Sequence, residues 1–416
     1  MRILDHHKII AARPPWPTLT NTSTKLWANR PALAAFIATA EDELRLGECL
    51  SDLELMDDVR IRRGGIERAI DELSRSRSPK ILIVDLSKVD MPLSRVAELS
   101  EVCEPGTAVI AIGDANDVGL YRDLARAGVA DYVVKPLTTE LLAQALATCQ
   151  SADSAIASDQ KLGKLIALVG FRGGVGVTTL AINLAWYFAN RQNRRVALVD
   201  LDLRHGDCAM ALDLKPTPGL REALQSPLRV DGLFLERAMA QCGERLFVLS
   251  GEGPLYEEFG FTTEAVESLL QALRSRFHYV IVDLPRIADP SYAVPVKTAT
   301  RRILVADHTL RAVRDTARFR AEFGHAYDGG RTLVVINRSG EGRRNQTPLG
   351  EIEKHIGTRV HTVIPFQSAL FASAILQAKP LAARSGRFAD CIANIAGEIS
   401  ARPNKVKASW WRRLTQ

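Results

Sequence analysis

Leu165-Ile166-Ala167-Leu168-Val169-Gly170-Phe171-Arg172-Gly173-Gly174-Val175-Gly176-Val177-Thr178-Thr179 is the stretch that decides how this chain is read. An apolar strand leads into a glycine-rich turn, and the turn opens a helix expected from Thr178 to about Asn190. Glycines let a backbone approach a phosphate, and successive N–H groups at a helix N-terminus form a nest of positive potential. Such a phosphate-binding loop places Lys after its last glycine, then Ser or Thr for Mg²⁺. Thr178 supplies the hydroxyl, but Val177 stands in the lysine position. The sequence therefore asks two things: whether the chain binds ATP, and whether it turns ATP over.

The neighbours of the loop strengthen the reading. About 25 residues on, Val196-Ala197-Leu198-Val199-Asp200-Leu201-Asp202 is an apolar strand ending in two carboxylates at alternate positions. In an extended chain residues i and i+2 face one side, so both are expected to face a ligand beyond the carboxyl end of the sheet. A further strand, Tyr279-Val280-Ile281-Val282-Asp283, ends in one Asp, the form of a Walker B element that holds Mg²⁺ directly or through water.

Here the chain resembles the MinD/ParA group of deviant P-loop ATPases, and within it the TadZ/CpaE proteins of tight-adherence (Flp-type) pilus assembly. The group signature is K-G-G-x-G-K-[ST]. Arg172-Gly173-Gly174-Val175-Gly176-Val177-Thr178 matches it with both lysines replaced. Asp200-Leu201-Asp202-Leu203-Arg204-His205-Gly206-Asp207 is similar to the D-L-D-L-x-x-G-D run of the pilus members. The resemblance implies ATP and Mg²⁺ as ligands, held by Gly173, Gly174, Val175, Gly176, Val177, Thr178 and Thr179. Thr178 and Asp283 would serve the metal, Asp202 would orient the attacking water, Asp200 would be its structural neighbour, and Asn337 would read the adenine edge. Arg172 would take the place of the lysine that reaches across an ATP-sandwiched homodimer, keeping charge and reach in a planar fork that suits phosphate oxygens. Loss of a point charge at Val177 should weaken binding, and weaken the chemistry by orders of magnitude.

The first half also reads as α/β, with strands Leu33–Ala38, Ile81–Val84, Ala108–Ile112 and Asp131–Val134 and a last helix Thr139–Cys149. Ile81–Asp85, Val109–Gly113 and Gly128–Pro136 resemble the last three strands of a response-regulator receiver. Asp85 falls at the phosphoacceptor position and Lys135 at the receiver lysine. Thr39 and Ala40 stand where an acidic pair would hold Mg²⁺, Gly113 replaces the hydroxyl residue, and Glu41 is the acidic residue left. These departures imply a pseudo-receiver that makes protein contacts without being phosphorylated.

Expected organisation is a leader over 1–30, a flavodoxin-like (receiver-like) parallel sheet over 31–150, a polar linker over 151–162, a MinD/ParA-like, mainly parallel α/β domain over 163–401, and a basic tail over 402–416. In the tail, Val406, Trp410 and Leu414 share a helical face beside five basic residues. That suits a membrane-surface segment as well as it suits a solvated terminus. The balance of 54 Lys and Arg against 48 Asp and Glu gives +6, which permits an anionic partner without demanding one. No nucleic-acid motif is present, six cysteines lack metal-like spacing, and neither a secretory signal nor a membrane span is read. The expectation is a cytoplasmic chain, peripheral at the inner membrane or a pole, that partners pilus or secretion machinery. The competing reading is an active ATPase cycling on membrane or nucleoid.

Overall fold

The computed structural model describes residues 30–55, 58–155, 162–251, 260–286, 290–327, 331–341 and 346–400. The expected leader up to residue 29, positions 156–161 of the expected linker and the tail 402–416 lie outside the described residues. Arg30, assigned to the leader from sequence, is part of the first domain. Its guanidinium donates to the carbonyls of Ser78, Pro79 and Pro105 and to Thr107 Oγ1 at 2.5–3.2 Å. The helix expected over Thr139–Cys149 continues to Ala155, so the first five residues of the expected linker are helical.

Five parallel strands make the first sheet: β1 (Leu33–Ile37), β2 (Val59–Arg63), β3 (Ile81–Asp85), β4 (Ala108–Gly113) and β5 (Asp131–Val134). Their order, β2-β1-β3-β4-β5, is that of a flavodoxin-like sheet. Side chains alternate between two cores. Leu33, Ala35 and Ile37 join one, and Ala34 and Phe36 join the other. A parallel sheet covered on both faces reads as continuous apolar runs, which is why β1, β3 and β4 were legible. The edge strand β2 was not, because its sequence Val-Arg-Ile-Arg-Arg buries only Val59 and Ile61 in part and leaves three arginines outward. Charge on an exposed edge is a common guard against unwanted pairing.

The second sheet comprises β6 (Lys164–Gly170), β7 (Val196–Asp200), β8 (Ala240–Cys242), β9 (Leu246–Leu249), β10 (Tyr279–Asp283), β11 (Arg301–Ala306), β12 (Thr332–Ser339) and β13 (Thr362–Pro365). The order is β13-β12-β11-β6-β10-β7-β9-β8, parallel throughout except for β8 against β9. The apolar runs Leu165–Val169, Val196–Val199, Leu246–Leu249, Tyr279–Val282, Ile303–Val305 and Leu333–Ile336, each expected from sequence to be a strand, are all present as strands. The two additional ones, β8 and β13, span three and four residues, too short to show a period. Register pairs Asp283 with Leu168 on one side and Asp200 on the other, so β10 and β7 finish level and β6 runs two residues further, to Gly170.

The two domains meet at the opposite, amino end of these same three strands. Glu104 of the first domain is buried there and receives Arg77 in a bidentate pair at 2.7 and 3.0 Å. Arg195, just before β7, approaches the same carboxylate at 3.4 Å. Lys164 at the start of β6 pairs with Glu101 at 3.3 Å. His278, just before β10, accepts the Arg195 N–H at Nδ1, which leaves its Nε2 to donate to the Val102 carbonyl at 3.3 Å. Burial, helped by the nearby Arg194 charge, depresses His278 to about 4. Burial alone would raise the Glu104 carboxyl, but Arg195 and Arg77 more than offset it and hold it below the ordinary value. Removing one partner of a buried pair leaves the other uncompensated, at about 3–5 kcal/mol. Glu104→Gln should therefore lower stability by about that amount, read as an earlier urea midpoint. The double variant with Arg77→Gln should lose less than the sum of the two single changes.

Candidate functional site

Strand β6 ends at Gly170, and the loop 171–176 returns the chain into the helix Val177–Asn190, whose N-cap is Gly176. The first loop residue is anchored through Phe171, whose ring lies 5.3 Å from that of Phe319. Gly174 and Gly176 have φ of 73° and 98°, the left-handed region that glycine occupies without strain. At Gly176 there is a second requirement, since a Cβ there would lie 2.4 Å from Asn337 Nδ2. Asn337, at the end of β12, donates from Nδ2 to the Val175 carbonyl at 2.8 Å and accepts the Arg338 N–H at 2.9 Å. Its side chain is thus a strut beneath the loop, an occupation that differs from the adenine contact expected of it. Arg338 adds a second strut, donating to the Gly174 carbonyl at 2.6 Å while paired with Glu341 and lying over Phe366.

Val177 places no charge in the site. A Cβ on Gly170 would meet Val177 Cγ2 at 2.4 Å, so the valine side chain lies on the end of β6 as aliphatic packing. Arg172 is half exposed and forms an ion pair with Asp307. Asp307 also accepts from the Thr309 N–H and hydroxyl. Burial pushes the Asp307 carboxyl up, but Thr309 and Arg172 together bring it below the ordinary carboxylate range.

Below the loop, Asp200 and Asp283 end β7 and β10 side by side, both buried. Asp200 accepts the N–H of Asp202 at 3.1 Å and of Cys208 at 3.0 Å. Thr178 hydrogen-bonds Asp283 from the first turn of the helix. Burial, reinforced by their mutual repulsion, raises Asp283 to about 7. Burial likewise raises Asp200 to about 6. Asp202 departs from the extended geometry expected of it. The strand stops at Asp200, and Asp202 caps the next turn, accepting the N–H groups of Arg204 and His205 at 3.3 and 2.9 Å. Gly206 closes that turn over Asp200, where a Cβ would lie 2.5 Å from Oδ2. Oxygen donors from Thr178 and Asp283, with the buried Asp200 carboxyl beside them, fit a hard divalent cation. Mg²⁺ would be held there, and bound it would neutralise phosphate oxygens.

In the first domain, Lys135 Nζ lies 2.8 Å from Asp85 and 2.7 Å from Asp42. Asp42, not the exposed Glu41, is the acidic residue in this pocket. Thr39 caps the helix Ala40–Asp52, and the residue three positions on turns back to it, so Asp42 hydrogen-bonds the Thr39 hydroxyl at 2.6 Å. The Asp42 N–H in turn donates to the Thr39 hydroxyl oxygen at 3.2 Å, an N-cap bond, and a T-x-x-D pattern at 39–42 was the available signal. Burial would raise Asp85, but hydrogen bonds from Lys135 and Ser87 hold it below the ordinary value. Beside Gly113, Tyr132 fills the space a larger residue would need and donates to the Ala115 carbonyl at 2.9 Å. Sequence reasoning missed Asp42, Cys208, Asp307 and Arg338. Of these, Asp42, Cys208 and Arg338 adjoin a quoted motif or residue, at Glu41, at Gly206-Asp207 and at Asn337, and Asp307 does not.

Fold and loop together define a P-loop nucleotide-binding α/β domain. The profile of the CobQ/CobB/MinD/ParA nucleotide binding domain matches residues 166–380, and the chain belongs to that family. It is 29% identical over 169 residues to the septum site-determining protein MinD of Bacillus subtilis, 38% of this chain and 58% of that one. It therefore spans less than two thirds of that relative's length. The ParA family ATPase of Chlorobium tepidum aligns over 56% of this chain and 98% of its own, with a TM-score of 0.51 at 20% identity, which reflects shared fold. The pilus assembly protein CpaE of Caulobacter crescentus overlaps 27% of this chain and 88% of its own at 30% identity, with a TM-score of 0.26.

Folded Asp200 and Asp283 keep protons to about pH 6 and 7, whereas unfolded carboxyls lose theirs near pH ~4. Between those limits the folded chain binds more protons than the unfolded one. The stability this pair contributes is thus present below about pH 4 and lost as pH rises through 7. Asp283→Asn should be more stable than the native chain at pH 8, by about 1–3 kcal/mol. The gap should close toward pH 5, as read from urea midpoints in the absence of nucleotide.

Proposed function

We propose that this chain is an ATP-binding localisation or assembly factor for tight-adherence pilus biogenesis, acting as a dimeric scaffold with little or no hydrolysis. The observation that carries the reading is Val177, packed on Gly170 where a phosphate-facing ammonium would stand. The backbone nest of Gly173 to Thr179 requires only φ/ψ freedom and the struts from Asn337 and Arg338, so nucleotide affinity does not depend on the missing lysine alone. Transition-state stabilisation does depend on charge placed at the β- and γ-phosphates. Family membership supports nucleotide binding, and the run Asp200–Asp207 supports the pilus branch.

In this reading the residues keep separate tasks. Gly173, Gly174, Val175, Gly176 and Val177 offer amides to phosphate oxygens, and Thr179 lies in the helix first turn behind them. Thr178 and Asp283 hold Mg²⁺, Asp200 fixes the turn that carries Asp202, and Asp202 faces the γ-phosphate side. Arg172 exchanges Asp307 for the phosphates of a second copy. Asn337 serves the loop first and the base second. The pocket of Asp85 and Lys135 is already closed by its own ion pairs, which suits a docking domain better than a phosphoswitch. The tail 402–416 would give peripheral contact with the inner membrane. The competing reading, an ATPase cycling on membrane or nucleoid, requires some other group to supply the lost charge.

Titration calorimetry with ATP and Mg²⁺, with phosphate release followed in the same sample, tests the proposal. Binding with release on the order of 10⁻⁴ s⁻¹ or slower is expected. Release near 1 s⁻¹ would restore the cycling reading, and absence of binding would leave two docking domains without a nucleotide. Val177→Lys should raise the release rate by about tenfold or more, whereas Asp202→Ala should leave ATP affinity within about threefold.

A further inference from the structure

Cys208 has no task in the function proposed above, yet its sulfur sits between the two strand-end carboxylates. Its Sγ and one oxygen each of Asp200 and Asp283 lie within 4.8 Å of one another, and all three side chains are buried. One edge, Cys208 Sγ to Asp283 Oδ2, is 3.6 Å. In a tetrahedral zinc site, bonds of about 2.3 Å to sulfur and 2.0 Å to oxygen put the two donors roughly 3.5 Å apart, so this edge already has coordination length. Magnesium selects differently, taking oxygen donors near 2.1 Å in an octahedron. Sulfur favours zinc, cobalt and similar thiophilic cations.

The donors are also held in place before any cation arrives. The Cys208 amide fixes Asp200 at 3.0 Å, and the turn that delivers Cys208 is closed by Gly206 against the same carboxylate. Asp283 is locked in register beside Asp200 by the ladder of β10 and β7. Val177 brings no ammonium to the pocket, and Arg172 is engaged by Asp307.

We propose that Asp200, Cys208 and Asp283 form a site for a thiophilic divalent cation of the Zn²⁺ class, which binds without nucleotide. One of its ligands, Asp283, is also assigned to the Mg²⁺ of the nucleotide site, and Asp200 lies beside it. One consequence therefore rests on the nucleotide reading: through the shared Asp283, a bound Zn²⁺ competes with Mg²⁺–ATP.

The test uses the full chain, stripped of metal and free of nucleotide, with Co²⁺ as probe. Expected is a near-ultraviolet sulfur-to-cobalt charge-transfer band together with visible bands of tetrahedral cobalt, abolished by Zn²⁺ but not by a large excess of Mg²⁺. Cys208→Ser should lose the charge-transfer band and weaken Zn²⁺ binding about tenfold or more in chelator competition. Cys49→Ser, in the other domain, should change neither. Should Cys208→Ser fail to fold, Asp283→Asn provides the second variant, expected to weaken Zn²⁺ with the thiol intact. No charge-transfer band in the native chain, a band that survives Cys208→Ser, or Zn²⁺ affinity unchanged in Asp283→Asn would overturn the proposal. Failure to bind ATP would leave this result standing, because no nucleotide is present.

Discussion

Two like charges buried side by side set the terms for the carboxyl end of the larger sheet. Register leaves Asp200 and Asp283 level at the ends of adjacent strands, out of water and with no lysine on the loop above them. Burying even one carboxylate is costly unless it is hydrogen-bonded or neutralised. The chain meets that cost in layers. Backbone amides of Asp202 and Cys208 serve one carboxylate, the Thr178 hydroxyl serves the other, and both retain protons well above the usual carboxylate range. The turn 201–208, the glycine at 206 and the start of the helix Val177–Asn190 all follow from the need to enclose this pair.

How far the sequence revealed this depends on the type of signal. Continuous apolar runs such as Ile81–Val84 and Leu165–Val169 announced a doubly covered parallel sheet, because nothing polar can be tolerated on either face. Of the four edge strands β5 was read, but β2, β8 and β13 escaped notice, since three of the five β2 residues are arginine and β8 and β13 are too short to carry a period. The loop and the strand-end aspartates were legible because their residue types are set by chemistry. Their surroundings were not. That Asp42 rather than Glu41 enters the first-domain pocket depends on where a helix is capped. That Asn337 and Arg338 brace the loop depends on which strand lies beside it. Both are tertiary facts with faint local traces.

The first domain shows a similar internal neutralisation. Lys135 satisfies Asp85 and Asp42 together, and Tyr132 occupies the room beside Gly113. What remains outward is a surface, and its most distinctive part is the arginine-bearing edge of β2. The domain is joined to its neighbour through a buried carboxylate shared by two arginines, an arrangement that tolerates little rearrangement once one partner is lost.

That junction has a mechanical consequence. Strands β6, β7 and β10 bear the phosphate loop and its aspartates at one end and meet the first domain at the other. The two are therefore coupled in series, like a handle and a jaw on one shaft. Strands of five to seven residues at about 3.3 Å each set the shaft at roughly 16–23 Å. A load applied to the first domain would be carried as tension along hydrogen-bonded strands, the stiffest direction of a sheet, and would reach the floor of the phosphate site directly.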